Sequence, residues 1–335
     1  MKTFLKKKGI ELSLRTYFIT SLSYMALGLF SSLIIGLIIR TAGQQFGIPL
    51  FVDMGQLAMD LVGPAIGIAV AYGLKAPPLV LFSAAVCGAA GEPLGGPAGA
   101  FVAAVIGTEM GKLFSKSTKV DIIVTPFMTI LFGYLAATSI GGFIGEGLIA
   151  FGELVNWSVA QRPFIMGILV ATLMGLALTA PISSAAIAIM LGLDGLAAGA
   201  ATIGCCAQMV GFATSSYREN GIGGWIAQGI GTSMLQISNI VRNPLILLPP
   251  TLAGVLLAPI STVILQMENT AEGAGMGTSG LVGQIFTFAA MGFSADIMVM
   301  VLIMHFVAPA LISLIISEYL RRRNWIKPGD MKIQY

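Results

Sequence analysis

Long charge-free runs dominate the chain, and short polar clusters separate them. A transmembrane helix needs roughly 17–25 mostly apolar residues. Runs of that order cover residues 16–39, 122–145, 163–193, 195–217, 220–241, 243–267, 273–295 and 297–317. Residues 51–74 form a further apolar stretch that carries Asp53 and Asp60 only in its first half. Residues 76–108 form another, interrupted by the single charge of Glu92. The pattern predicts an all-α polytopic membrane protein of about 8–10 transmembrane helices. No hydrophilic block is long enough to fold by itself, so residues 1–335 read as one membrane domain. Within it, 1–16 is a cytoplasmic N-terminal segment, 17–146 a first half, 163–319 a second half and 320–335 a cytoplasmic tail.

Composition strengthens this picture. Hydrophobic residues make up 56% of the chain, charged residues only 10%, and the mean hydropathy is +0.91. Soluble domains carry about 25% charged residues, so a water-soluble fold of this length could not cover its surface. Lipid removes that requirement. The spans are rich in Gly, Ala and Ser, which lets helix backbones approach closely in lipid. Cys87, Cys205 and Cys206 all fall inside apolar runs, the pattern of buried small residues rather than of a disulfide framework. The basic start is followed by an apolar run too long for a signal-peptide core, so no cleavable leader is expected.

Charge placement gives an orientation. Lys2, Lys6, Lys7, Lys8 and Arg15 precede the first span, while Arg321, Arg322, Arg323, Lys327 and Lys332 follow the last. The positive-inside rule places both termini in the cytoplasm. Lys112, Lys116 and Lys119 mark an internal cytoplasmic loop, Lys75 marks another, and residues 148–161 with Glu153 and Trp157 read as external and interfacial. The 36 residues between Lys75 and Lys112 must then leave and return on one side. Two full spans need roughly 34 residues plus a turn. Two half-length helices meeting at the break GEPLGGP, residues 91–97, fit better, and two short tilted spans with an external turn are the alternative. Broken backbone at membrane depth is tolerated where protein encloses it or a wet cavity adjoins it.

At a shift of 118 or 119 residues the two halves share several features: Gly73 with Gly192, Cys87 with Cys206, Gly111 with Gly229, Ser115 with Ser233, and Pro126 with Pro244. The match describes an inverted repeat whose second hairpin has its counterpart of GEPLGGP at residues 210–216, just before Tyr217, Arg218, Glu219 and Asn220. Paired broken helices of this kind point to transporter binding sites.

Charges within spans are functional candidates by default. Glu92 lies among Gly91, Pro93, Gly95, Gly96 and Pro97, where a carboxylate can accept hydrogen bonds from sugar hydroxyls or bind a proton or cation. The half-helix after Pro97 offers free N–H groups and a positive dipole end. Arg218, Glu219 and Asn220 read either as a polar ligand-binding tip or as a solvated loop. Gln208, Gln228, Gln236, Asn239 and Asn243 line a polar pathway or bond helix to helix. His305 is the only histidine and reads as a proton relay or a bridge between helices. No phosphate-binding GxxxxGK[ST] loop, nucleophile–histidine–acid arrangement or cluster of metal ligands is present. No catalytic residue, metal or cofactor is therefore expected. The basic flanks are lipid-contacting anchors, and nothing points to nucleic acid.

At three stretches the sequence resembles a known family. YFITSLSYMALGLFSSLIIG (17–36), AAGEPLGGPAGAFVAA (89–104) and RNPLILLPPTLAG (242–254) look like the stand-alone membrane proteins grouped with the IIC permeases of the bacterial phosphoenolpyruvate-dependent sugar phosphotransferase system. Some of these are described as toxin-gene regulators. GEP at 91–93 is similar to the Gly-x-Thr-Glu-Pro element of larger sugar IIC proteins, whose glutamate binds sugar hydroxyls, although Ala90-Gly91 replaces the threonine and no histidine accompanies it. Asn243-Pro244 is similar to their Asn-Pro-rich helix. The resemblance implies a homodimeric permease with two re-entrant hairpins, an elevator-like or rocking cycle, and phosphorylation by separate IIA and IIB proteins. Together with the reading of the residues above, it gives the substrate-binding assignment Glu92, Pro93, Gly95, Gly96, Gln208, Arg218, Glu219, Asn220, Asn239 and Asn243. An ion-coupled carrier of an organic acid and a membrane sensor that does not transport are the competing readings.

Overall fold

The computed structural model describes residues 5, 8–10, 13, 16–182 and 184–333. Lys2, Lys6, Lys7 and Arg15, part of the N-terminal charge pattern, lie outside them. Among the described residues the regular structure is helical, with one isolated bridge between Gly195 and Asn269. Six helices among the described residues are long and apolar enough to cross a membrane, or seven if the bent pair Pro49–Asp60 and Val62–Gly73 is one span. Pro78–Phe114 counts once in that number although it doubles back, and Pro163–Thr179 is just shorter. The chain divides between Ile149 and Ala150 into two compact units.

In the first unit α1 runs over residues 16–46, with π-helical turns at Thr16–Thr20 and Phe30–Ile34. It ends at Gly47, whose φ of 66° is the left-handed conformation that closes helices. α2 (Pro49–Asp60) and α3 (Val62–Gly73) meet at a 51° bend. α4 (Pro78–Phe114) breaks at Gly95 and Gly96. Gly96 has φ 57° and ψ −150°, a region open in practice only to glycine. Beyond the break the chain turns back on itself: Gly91 packs against Gly99, Cys87 against Gly107 and Val80 against Gly111. The arms 78–94 and 97–114 are thus antiparallel. Each is about 26 Å long at 1.5 Å per residue, longer than the half-length helices expected from the charges. α5 (Asp121–Val159), at about 58 Å, is nearly twice the ~30 Å hydrocarbon thickness and ends within the second unit.

The second unit is built on α8 (Gly195–Ser215), nearly all of which is buried. Its small residues make this feasible. Gly204 meets the Ala171 backbone of α6 (Pro163–Thr179), Gly211 meets Pro250 of α11 (Leu248–Pro259), and Gly199 meets the Met267 carbonyl. The short α7 (Ser184–Met190) lies between α6 and α8. α13 (Ala295–Arg322) closes the unit. Its outer face, like that of α5, carries exposed Ile303, Leu311 and Ile315, the surface expected of lipid-facing helices.

Three apolar runs are not the single spans that hydropathy describes. The run 163–193 stops at Thr179, because Ala180 precedes Pro181 and adopts an extended ψ of 161°. The run 220–241 is two limbs. α9 (Tyr217–Ile226) continues as a π turn to Gly231, Thr232 is extended, and a 3-10 turn at Ser233–Gln236 leads into α10 (Ile237–Arg242). Five glycines in 221–231 weaken the first limb, and the Thr232 hydroxyl caps the next turn by accepting from Met234 N–H. The run 273–295 is largely irregular until α12 (Val282–Met291) begins. Asn269 anchors this irregular stretch to α8, donating to Thr202 Oγ1, the Gly283 carbonyl and Thr287 Oγ1.

Candidate functional site

In the first unit, two helix breaks come together around one carboxylate. Glu92 lies one turn before the α4 break, and its Cβ faces Gly63, the second residue of α3 after the 51° bend. Gly63 and Gly88 are in backbone contact there, so α3 and the first arm of α4 touch without intervening side chains. Behind the tip, Leu94 and Gly95 rest on Gly141, Ile144 and Gly145 of α5. Glu92 is half-buried, Pro93 exposed, Gly95 buried and Gly96 half-buried. Among the described residues the Glu92 carboxylate has no hydrogen-bond or ion-pair partner. A half-buried acceptor without a protein donor is a costly arrangement.

The opposite end of the same hairpin is strongly polar. Lys112 is buried, pairs with Glu109 at 3.1 Å and donates to the Gly9 carbonyl at 3.2 Å. Lys8 donates to the Ser115 carbonyl and to Ser117 Oγ. A cavity of about 250 Å³ opens here, lined by Gly9, Thr16, Thr20, Lys75, Glu109 and Lys112 among others. Lys8, Lys75 and Lys112 thus share one end of the unit, as the charge pattern requires of a hairpin that leaves and returns on one side.

The remaining sequence-derived candidates lie in the second unit and do different things. Gln208 is buried, accepts from Thr179 Oγ1 and donates to Thr251 Oγ1 at 2.8 Å. Thr179 also shares a hydrogen bond with Ser233 at 2.8 Å, at the turn between the two limbs. Arg218 is exposed and pairs with Glu318 at 3.1 Å, whereas Glu219 is buried against Arg321 at 2.8 Å. Asn220, Asn239 and Asn243 reach the segment after α13. Of residues 210–216, expected as the break of the second half, 210–215 are continuous helix and Ser216 caps it. The break falls at Gly221 instead, with φ 62° and ψ −162°, close to the values at Gly96. Charge and composition did not single out Thr179, Thr232, Ser233 or Asn269. The one available signal is Gly231-Thr232-Ser233, a polar triplet inside an apolar run.

All three cysteines are free and buried. His305 bridges helices through Gln284, 3.0 Å from its Nδ1, and Gln284 also reaches Cys206 Sγ. No group of three or more metal-ligating side chains occurs among the described residues.

This arrangement, a glycine-broken hairpin presenting a carboxylate within a polytopic helical protein, is that of a membrane permease. Residues 19–333 match the family model of the phosphotransferase system EIIC component, and the chain belongs to that family. No curated protein and no solved structure matches it.

Proposed function

We propose that this phosphotransferase-system permease carries a sugar across the bacterial cell membrane by alternating access, with Glu92 accepting hydrogen bonds from the sugar hydroxyls. The unpartnered, half-buried Glu92 carboxylate at the meeting of two helix breaks carries this reading. Separate IIA and IIB proteins supply the phosphoryl group at the cytoplasmic end, and the working form is a homodimer. Pro93, Gly95 and Gly96 shape the tip around the solute, and Gln208 lies on the second unit's polar path. Charge-assisted hydrogen bonds to a carboxylate are stronger than neutral ones, so losing the charge matters more than losing the shape.

Glu92→Gln is expected to abolish sugar binding in a thermal-shift screen of the purified protein while folding and dimerisation persist. Wild-type affinity in that variant would remove Glu92 from the site. Uptake that ignores the phosphotransfer proteins but collapses with an ionophore would replace the reading with ion-coupled transport.

A further inference from the structure

The second unit holds a short stretch of its own chain as if it were a bound peptide. After α13 the chain turns at Lys327–Asp330, where Gly329 has φ 90° and Lys327 N–H donates to the Asp330 carboxylate at 2.8 Å. Four carboxamides then grip the backbone on either side of this turn. Asn220 donates to the Met331 carbonyl and accepts from Ile333 N–H, both at 2.9 Å. Gln236 donates to the same Met331 carbonyl at 2.9 Å, and Asn239 donates to the Lys332 carbonyl at 3.0 Å. Asn243 donates to the Trp325 carbonyl at 3.0 Å and to the Asp330 carboxylate at 2.7 Å. Ile326 and Met331 plug a buried cluster with Phe212, Ile246 and Leu320.

These carboxamides belong to the two limbs of 222–242 and to their ends. Asn220 stands at the entry, Gln236 and Asn239 on the returning limb, and Asn243 at the exit. Gln228, on the inward limb, is tied to Gln236 at 2.8 Å and to Ser216 at 2.9 Å. Fastening the segment therefore fastens both limbs of the hairpin together. The ties from carboxamide to backbone are neutral and individually modest, which is the chemistry of reversible peptide capture rather than of a permanent brace. The fastened state also leaves Asn239 Oδ1 buried without a hydrogen-bond donor, a cost that opening to water removes.

We propose that residues 324–333 form a releasable strap that holds the re-entrant hairpin 222–242 shut. On the transport reading above, the strap gates the carrier from the end that bears Arg321, Arg322 and Arg323. A disulfide between Asn239→Cys and Lys332→Cys in the full chain tests this, since the three native cysteines are buried. Amide hydrogen exchange is read over 222–242 in the oxidised and reduced forms of one preparation. A releasable strap makes exchange at least tenfold slower in the oxidised form, with α8 unchanged in both. Equal exchange in the two forms overturns the strap. Gln236→Ala should act in the opposite direction, raising exchange over 222–242 selectively, and a rise spread over the whole unit also counts against it. Uptake is measured on the same samples and should fall at least tenfold on oxidation and return on reduction. Slowed exchange with unchanged uptake leaves the strap standing and removes its link to the transport reading.

Discussion

Neighbouring charges in SSYRENG have opposite fates, and burial decides them. Arg218 is exposed, so water screens its pair with Glu318 and that contact contributes about 0–1 kcal/mol. Glu219 and Arg321 are both nearly buried, and Arg321 also donates to the Ser215 carbonyl. Removing one partner of such a pair strands the other charge and costs about 3–5 kcal/mol. Glu219→Ala should therefore lower the unfolding temperature of the purified protein sharply, whereas Arg218→Ala should leave it nearly unchanged. Similar losses in both variants would show that burial does not separate the two pairs. In sequence these charges are adjacent and indistinguishable. Only the fold brings α13 over Glu219, and so the loop reading and the ligand-tip reading both stay open until the helix is in place.

Among elements, glycine contacts set how closely helices lie. Gly63 and Gly67 of α3 meet Gly88 and Ala84 of α4 backbone to backbone. A methyl group at Gly88 would overlap the Gly63 carbonyl, so Gly88→Ala must separate the helices and should cost about 1–3 kcal/mol. Gly142 on α5 faces open space. Gly142→Ala should be neutral or stabilising by about 0.5–1 kcal/mol, because glycine is the weaker helix former. Thermal unfolding of the two variants in one detergent reads the contrast, and equal shifts would remove the contact argument. The α4 hairpin was legible because Glu92, two prolines and three glycines cluster at its break and lysines bound it. The second hairpin was expected from the internal match, but its position was not legible. Its turn at Thr232–Ser233 carries no charge or proline, and hydropathy joined its limbs into one run. The irregular stretch before α12 was hidden for the same reason: its polar anchor, Asn269, lies far in sequence from Thr202, to which it bonds.

For the whole molecule, the proposed orientation rests on where the cations gather. Lys8, Lys75 and Lys112 meet at one end of the first unit, and Arg321–Arg323 stand at the end of α13. With these ends cytoplasmic, cysteines placed at Lys119 or Arg323 should react with an impermeant maleimide only in inside-out vesicles. A cysteine at Ala160 should react only in right-side-out vesicles. Labelling of Lys119→Cys from the external side would overturn the orientation. The class of protein was legible from composition alone, since 10% charged residues cannot solvate this length of chain. In sequence the halves read as 17–146 and 163–319, and the compact units divide between Ile149 and Ala150, inside α5.

The near-complete burial of α8 bears on how the chain is made. Synthesis delivers α8 before α11 and α13, the helices that cover it. This glycine- and alanine-rich segment, itself apolar enough to span, must therefore wait beside lipid, or within the insertion machinery, until those neighbours emerge. The second unit consequently forms by late enclosure: the helix at its centre enters after α6 and acquires α11 and α13 only later.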